Sequence, residues 1–175
     1  YVMYDQVYYA LTFGDTKHYT PPELCPEMAA YTIFVDAISK SLCATGLRVG
    51  WAVAPPYVMS RMRDILGHVG AWAPRPEQIA TAAILKDADS LSSFQVAMNR
   101  EVEQRLSLLY EGIRTLQAAG LPVRAIPPQG AIYLSAQFDL RGRKLPDGTV
   151  VTTNEQVRNY LLHAAGMAVV PFQAF

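Results

Sequence analysis

Residues 31 to 51 read YTIFVDAISKSLCATGLRVGW, and the fold follows from how this stretch is parsed. Residues 31 to 37 form a short continuous apolar run with a single acid, which predicts a buried strand. Residues 47 to 54 (LRVGWAVA) predict another strand, stopped by Pro55 and Pro56. Between the two, Ser39-Lys40 falls at the C-terminal mouth of the first strand, where open α/β sheets present groups to ligands. A buried amine there, its pKa lowered, can form a Schiff base with a carbonyl cofactor. Taken alone, a lysine is more often a solvated surface group.

Outward from this stretch the pattern alternates. Residues 1 to 11 are rich in aromatic and β-branched side chains and predict a buried strand that carries Asp5. Residues 12 to 28 hold Gly14, Pro21, Pro22 and Pro26 and predict a long surface connection. Residues 57 to 66 predict a short helix with Val58, Met62 and Ile65 at helical spacing, residues 67 to 76 (GHVGAWAPRP) a loop, and residues 77 to 86 a further helix. Val102, Leu106, Leu109, Ile113 and Leu116 then fall in one apolar stripe on a long helix, which Gly120 and Leu121-Pro122 stop. Residues 131 to 138 (AIYLSAQF) predict a strand, residues 141 to 149 a polar turn around Asp147-Gly148, and Thr153 with Gln156 a capping box for a helix closed by Gly166. Residues 167 to 175 (MAVVPFQAF) predict a last strand. The order is that of an α/β protein whose composition shifts at the long helix.

Composition narrows the function. The 175 residues carry 15 basic and 15 acidic side chains, a formal net charge of zero, with 51% hydrophobic and 17% charged residues. A neutral chain has no field to hold a polyanion, which argues against nucleic acid or an anionic membrane as the main partner. No apolar run reaches the ~18 to 20 residues of a membrane helix, and the first residues lack a basic leader followed by an apolar stretch, so a soluble cytoplasmic protein is expected. Cys25 and Cys43 belong to no closely spaced Cys or His cluster; they are expected reduced in the interior, with no metal site. The charged share is below the ~25% of an average soluble domain, and Tyr is used ten times and Pro twelve. Such a surface anticipates either a cover or membership in something larger.

Three more groups could act with Lys40. Arg48, in Thr45-Gly46-Leu47-Arg48-Val49-Gly50, stands at the start of a strand between glycines that permit close backbone approach, and its guanidinium can hold a phosphate bidentately. An arginine marking a strand end is an equal alternative, and ATGLRVG is not a Walker A loop, because the Lys-Ser/Thr after the second glycine is missing. Asp5, at the end of an aromatic strand, must be paired or hydrogen-bonded to remain charged; a protonated pyridine nitrogen would satisfy it. Tyr8 offers a phenol three residues on.

The series Asp5-Gln6-Val7-Tyr8, Ser39-Lys40, Arg48-Val49-Gly50 and Pro171 with Phe175 resembles the class I/II aminotransferases, fold type I pyridoxal-phosphate enzymes, over essentially the whole chain. The resemblance implies an α/β fold: a large domain with a mainly parallel sheet, a long connecting helix and part of a small C-terminal lobe. It implies a division into residues 1–95, 96–120 and 121–175. Lys40 would form the Schiff base with pyridoxal 5'-phosphate and move the proton at the substrate Cα. Asp5 would pair with the ring nitrogen, Tyr8 with the 3′ oxygen, and Arg48, helped by Ser39, with the phosphate. The implied substrates are an α-amino acid and a 2-oxo acid, and the implied assembly of the full-length form is a homodimer, with Trp72 or Arg75 at the interface if Trp72 is not simply a packed loop anchor.

Departures from the family pattern are local. Ala37 stands where a second phosphate-binding Ser or Thr is common, and Gln6 replaces the usual acid after the aspartate. The phosphate loop, the aromatic that stacks on the ring and its companion asparagine are expected upstream of residue 1, and the carboxylate-binding arginine downstream of residue 175, so the chain reads as an internal fragment. The alternatives are a non-catalytic truncated or inactive homologue, and a lyase of the same fold. A Ser39-Lys40 hydrolase dyad lacks an oxyanion loop and a second base. Tyr133 resembles a residue of a small-lobe strand facing the substrate, though a strand aromatic is more often core. His18, His68 and His163 are assigned no catalytic part; His163 is expected in the last turn of a helix.

Overall fold

The computed structural model describes residues 1–174. Strand β1 is Val2–Asp5, and after a long connection containing the one-turn helix α1 (Pro21–Leu24) comes β2, Thr32–Ala37. The strand expected over residues 1 to 11 ends at Asp5 because the Asp5 carboxylate accepts the Val7 N–H at 3.1 Å and the Tyr9 N–H turns back to the Gln6 carbonyl at 2.8 Å. An aspartate that bonds backbone two residues on offers the chain a turn in place of a ladder. β2 leads directly into the short helix α2, Ile38–Ser41, and β3, Gly50–Val53, returns beside it. The sheet order is β1-β2-β3, with β1 and β2 parallel and β3 antiparallel to β2.

Register explains Gly50. It pairs with Ala37, and a Cβ built on it would meet the Asp36 carbonyl oxygen at 3.0 Å and the Ala37 Cβ at 3.3 Å. Two strands closing at the mouth of the sheet therefore leave little room for a side chain there.

Helix α3 is Pro56–Val69 and α4 is Arg75–Ile84. α3 starts on Pro56 and α4 has Pro76 as its second residue, positions where the missing N–H is one that no helix uses, and Gly70 at φ +67° closes α3. These ends shorten the expected loop, and Trp72 within it is 57% exposed, so it is no packed anchor. Helix α5, Ala88–Ala118, is 31 residues long. Its predicted stripe is only partly covered: Leu106 is buried, but Leu109 and Leu116 are exposed.

The chain divides into two compact units, Tyr1–Ser107 with Pro128–Tyr133, and Leu108–Pro127 with residues from Leu134 onward. In the first, Leu11, Phe13, Thr32, Ile38, Val49, Met98 and Leu106 are buried. In the second, β4 (Val123–Ala125) pairs antiparallel with β5 (Ala136–Phe138), and helix α6 is Asn154–Ala165. The expected capping box is present, with Thr153 accepting from the Gln156 N–H, and Gly166 at φ +64° closes the helix. Asp147-Gly148 forms the expected tip, the Asp147 carboxylate accepting from the Thr149 N–H. The strand expected over residues 131 to 138 shrinks to β5, and residues 167 to 174 form no strand but end in a 3-10 turn, Phe172–Ala174. Pro171 removes a ladder donor from that segment. Phe175 lies outside the described residues. Cys25 and Cys43 are exposed rather than interior, and no described helix is long and apolar enough to cross a membrane.

Candidate functional site

Parallel pairing of β1 with β2, followed by the antiparallel return of β3, brings three sequence positions to one end of the sheet. Asp5 ends β1, Ala37 ends β2 just before α2 with its Ser39 and Lys40, and Arg48 lies two residues before the start of β3. The Ile38 N–H to Val49 carbonyl bond, 3.3 Å, ties α2 to the start of β3. Ile38 and Ser41 are buried, so α2 is anchored by its flanks while Ser39 and Lys40 stay half-buried.

Lys40 Nζ stands 5.9 Å from the centre of the Tyr8 ring. A cation facing an aromatic ring at this range is attracted by the ring's negative face. Tyr8 is presented by the turn that Asp5 starts, the Leu11 N–H returning to the Tyr8 carbonyl at 2.9 Å. Its hydroxyl meets that of Tyr133 at 2.7 Å, with the two rings edge to face at 5.6 Å. Burial pushes the Tyr8 phenol well above the ordinary tyrosine range; the hydrogen bond with Tyr133, that residue's charge when ionised and the nearby Asp5 carboxylate push it the same way. Tyr8 is thus a neutral hydrogen-bonding group at any physiological pH.

Asp5 is exposed, not enclosed at the end of a buried strand as its sequence neighbours suggest. The buried acid is Asp36, 5% exposed. Its carboxyl is raised above the ordinary range by burial first and by the Asp5 charge, while the Ala37 N–H at 2.7 Å, a bond with Gln6 and the presence of His18 oppose the rise. His18 lies against the rings of Tyr4 and Tyr9, 5.9 and 6.2 Å between centres.

Arg48 is exposed and has φ +56°, a left-handed conformation that costs a non-glycine residue about 1 kcal/mol or more. Its guanidinium donates to the Thr45 carbonyl at 2.8 Å. That leaves most of its fork of donors free for an acceptor.

Three contacts absent from any local pattern hold these segments in place. Gly130 bridges to Thr12, with the Phe13 N–H bonded to the Gln129 carbonyl and the Ala131 N–H to the Leu11 carbonyl. This bridge delivers Tyr133 to Tyr8, so Tyr133 is neither a core residue nor part of a strand. From α5, the Asn99 amide donates to the Ala10 carbonyl at 2.6 Å, and Met98 Sδ lies 3.3 Å from Cys43 Sγ. Adjacent residues of one helix thereby steady the segments that follow Tyr8 and Lys40. The only sequence signal for the bridge was Gln129-Gly130 after two prolines.

A family model described as aminotransferase class I and II matches residues 1–175. An aspartate aminotransferase of Geobacillus stearothermophilus is 30% identical over 174 residues, covering 99% of this chain and 42% of that protein. Among solved structures, the aspartate aminotransferase from Rhizobium meliloti superposes with a TM-score of 0.85 at 24% identity, over 98% of this chain and 42% of that one, a likeness of fold alone. The aromatic aminotransferase from Pyrococcus horikoshii OT3 superposes at 0.79 with 28% identity, over 97% of this chain and 41% of that one. The chain thus spans about two fifths of the length of the relatives it matches.

Proposed function

Since this chain belongs to the aminotransferase class I and II family, whose members depend on pyridoxal phosphate, we propose that it forms the lysine-bearing part of the cofactor site of a full-length aminotransferase. The full-length protein would pass an amino group from an α-amino acid to a 2-oxo acid. The observation that carries this reading is the set of groups at one end of the sheet: an amine beside a phenol, with a carboxylate and a guanidinium on the flanking segments. Their chemistry fits an aldehyde, a ring oxygen, a ring nitrogen and a phosphate respectively.

When bound, the cofactor supplies an electron-withdrawing ring that stabilises negative charge at the substrate Cα. The chain's own residues divide the remaining work. Lys40 Nζ would hold the cofactor covalently and, when free, would carry the proton at the substrate Cα. The Asp5 carboxylate accepts a hydrogen bond from the protonated ring nitrogen and keeps it protonated. Tyr8 donates to the ring oxygen, a part that suits a phenol held neutral. Arg48 binds the phosphate as a fork of donors, and the Ser39 hydroxyl adds one more.

On this reading residues 1–95 belong to the large domain, residues 96–120 connect, and residues 121–175 begin the small domain. The full-length protein is read as a cytoplasmic homodimer; two unpaired cysteines suit a reducing compartment. The test is chemical. Pyridoxal phosphate added to the full-length protein should give visible imine absorbance, and borohydride followed by peptide mapping should place the reduced adduct on Lys40. Lys40→Ala should lose turnover by several orders of magnitude while keeping its fold. An adduct elsewhere, or near-normal transamination by Lys40→Ala, removes Lys40 from the mechanism.

A further inference from the structure

We propose that Tyr133 is a positioning residue of the cofactor site: its hydroxyl fixes the rotation of the Tyr8 O–H, so that the single proton of Tyr8 is available in one direction. The inference rests on reading Tyr8 as the phenol that meets the cofactor's ring oxygen.

Three features of the chain carry it. The two hydroxyls, 125 residues apart in sequence, lie 2.7 Å from each other, and the rings meet edge to face at 5.6 Å. This is a bond of good length between groups that each have one donor and two lone pairs. The backbone that brings Tyr133 there is built for that placement. A Cβ on Gly130 would sit 2.6 Å from the Leu11 carbonyl oxygen, and Ala131 holds φ +59°, a strained conformation for a residue with a side chain. Tyr133 is nonetheless 58% exposed, so burial of its ring does not account for the arrangement.

The donor count closes. A phenol has one proton, so Tyr8 cannot donate to both Tyr133 and a ring oxygen. With its proton given to the ring oxygen, Tyr8 offers a lone pair that accepts the Tyr133 O–H, and each hydrogen bond polarises the other. Before the cofactor binds, burial first and the bond with Tyr133 second keep Tyr8 neutral.

Two measurements on the full-length protein test this. In the cofactor-free protein with tyrosine labelled at 13Cζ, the Tyr8 resonance is identified by its loss in Tyr8→Phe and titrated. It should stay un-ionised while ordinary tyrosines ionise near pH ~10. In Tyr133→Phe it should ionise at a different pH, because Tyr8 loses the hydroxyl that its own hydroxyl is bonded to. The phenyl ring also remains, so the edge-to-face contact and the fold should survive, as circular dichroism would record. An unchanged Tyr8 titration overturns the proposal.

The second measurement uses the protein loaded with pyridoxal phosphate. The pH dependence of its visible absorbance should shift in Tyr133→Phe in the same direction as in Tyr8→Phe, and by less. If Tyr8→Phe shifts that profile and Tyr133→Phe does not, the positioning role fails alone. If Tyr8→Phe leaves the profile unmoved, the reading of Tyr8 itself fails.

Discussion

Asp36 and Asp5 lie near each other on neighbouring strands, yet their surroundings differ. Asp36 is enclosed and Asp5 is open to solvent. A carboxyl whose folded pKa lies above its unfolded value binds its proton more tightly in the folded state. Asp36 therefore favours the fold when protonated, at pH below its unfolded pKa, and that contribution is lost as the pH rises through its folded pKa. Asp36→Asn keeps an acceptor for the Ala37 N–H and removes the charge that burial disfavours. We expect the variant to be as stable as the parent in acid and more stable at neutral pH, measured by urea unfolding of the cofactor-free full-length protein at both. Lower stability of the variant at neutral pH would mean that the Asp36 charge is paired more strongly than its contacts suggest.

At the level of elements, the site depends on a bridge rather than on a sheet. Residues 129 to 131 and 11 to 13 share only a few backbone bonds, yet they determine where Tyr133 stands. Gly130→Ala would press a methyl group onto the Leu11 carbonyl, a backbone atom that cannot swing aside. It should cost about 1–3 kcal/mol in thermal or denaturant unfolding, the usual range for overpacking. It should also separate Tyr133 from Tyr8, so that the Tyr8 resonance titrates as it does in Tyr133→Phe. A variant of parental stability with an unchanged Tyr8 titration would show that the bridge does not position Tyr133.

For the whole molecule, the sparse charge has a structural counterpart. Tyr1, Met3, Val69, Trp72 and Phe172 are each more than half exposed, on a chain with no net charge to keep copies apart. The 175 residues on their own should self-associate, giving species larger than a monomer by light scattering and strong binding of a hydrophobic dye. The full-length protein should show neither aggregation nor dye binding. A dye-free monomeric fragment would mean that these side chains need no cover. The parts read correctly from sequence were those set by neighbours along the chain: the apolar run of β2, helices in the places of α3 and α4, and the Thr153 capping box. The parts misread were those where a side chain competes for nearby backbone or a distant segment fails to give cover. The first strand stops early because Asp5 bonds its own backbone, and the α5 stripe is only partly covered.

The sequence alone determined that Lys40 follows a strand and that Arg48 stands by the start of the next, because strand periodicity and turn chemistry act over a few residues. It determined the family through the order and spacing of the same short motifs. Only the tertiary structure decided that Asp36 rather than Asp5 is enclosed, that Asn99 and Met98 brace the site's flanks, and that Tyr133 meets Tyr8. Those facts depend on which segments the folded chain brings together across many tens of residues, and no local pattern encodes a contact whose two halves are so far apart.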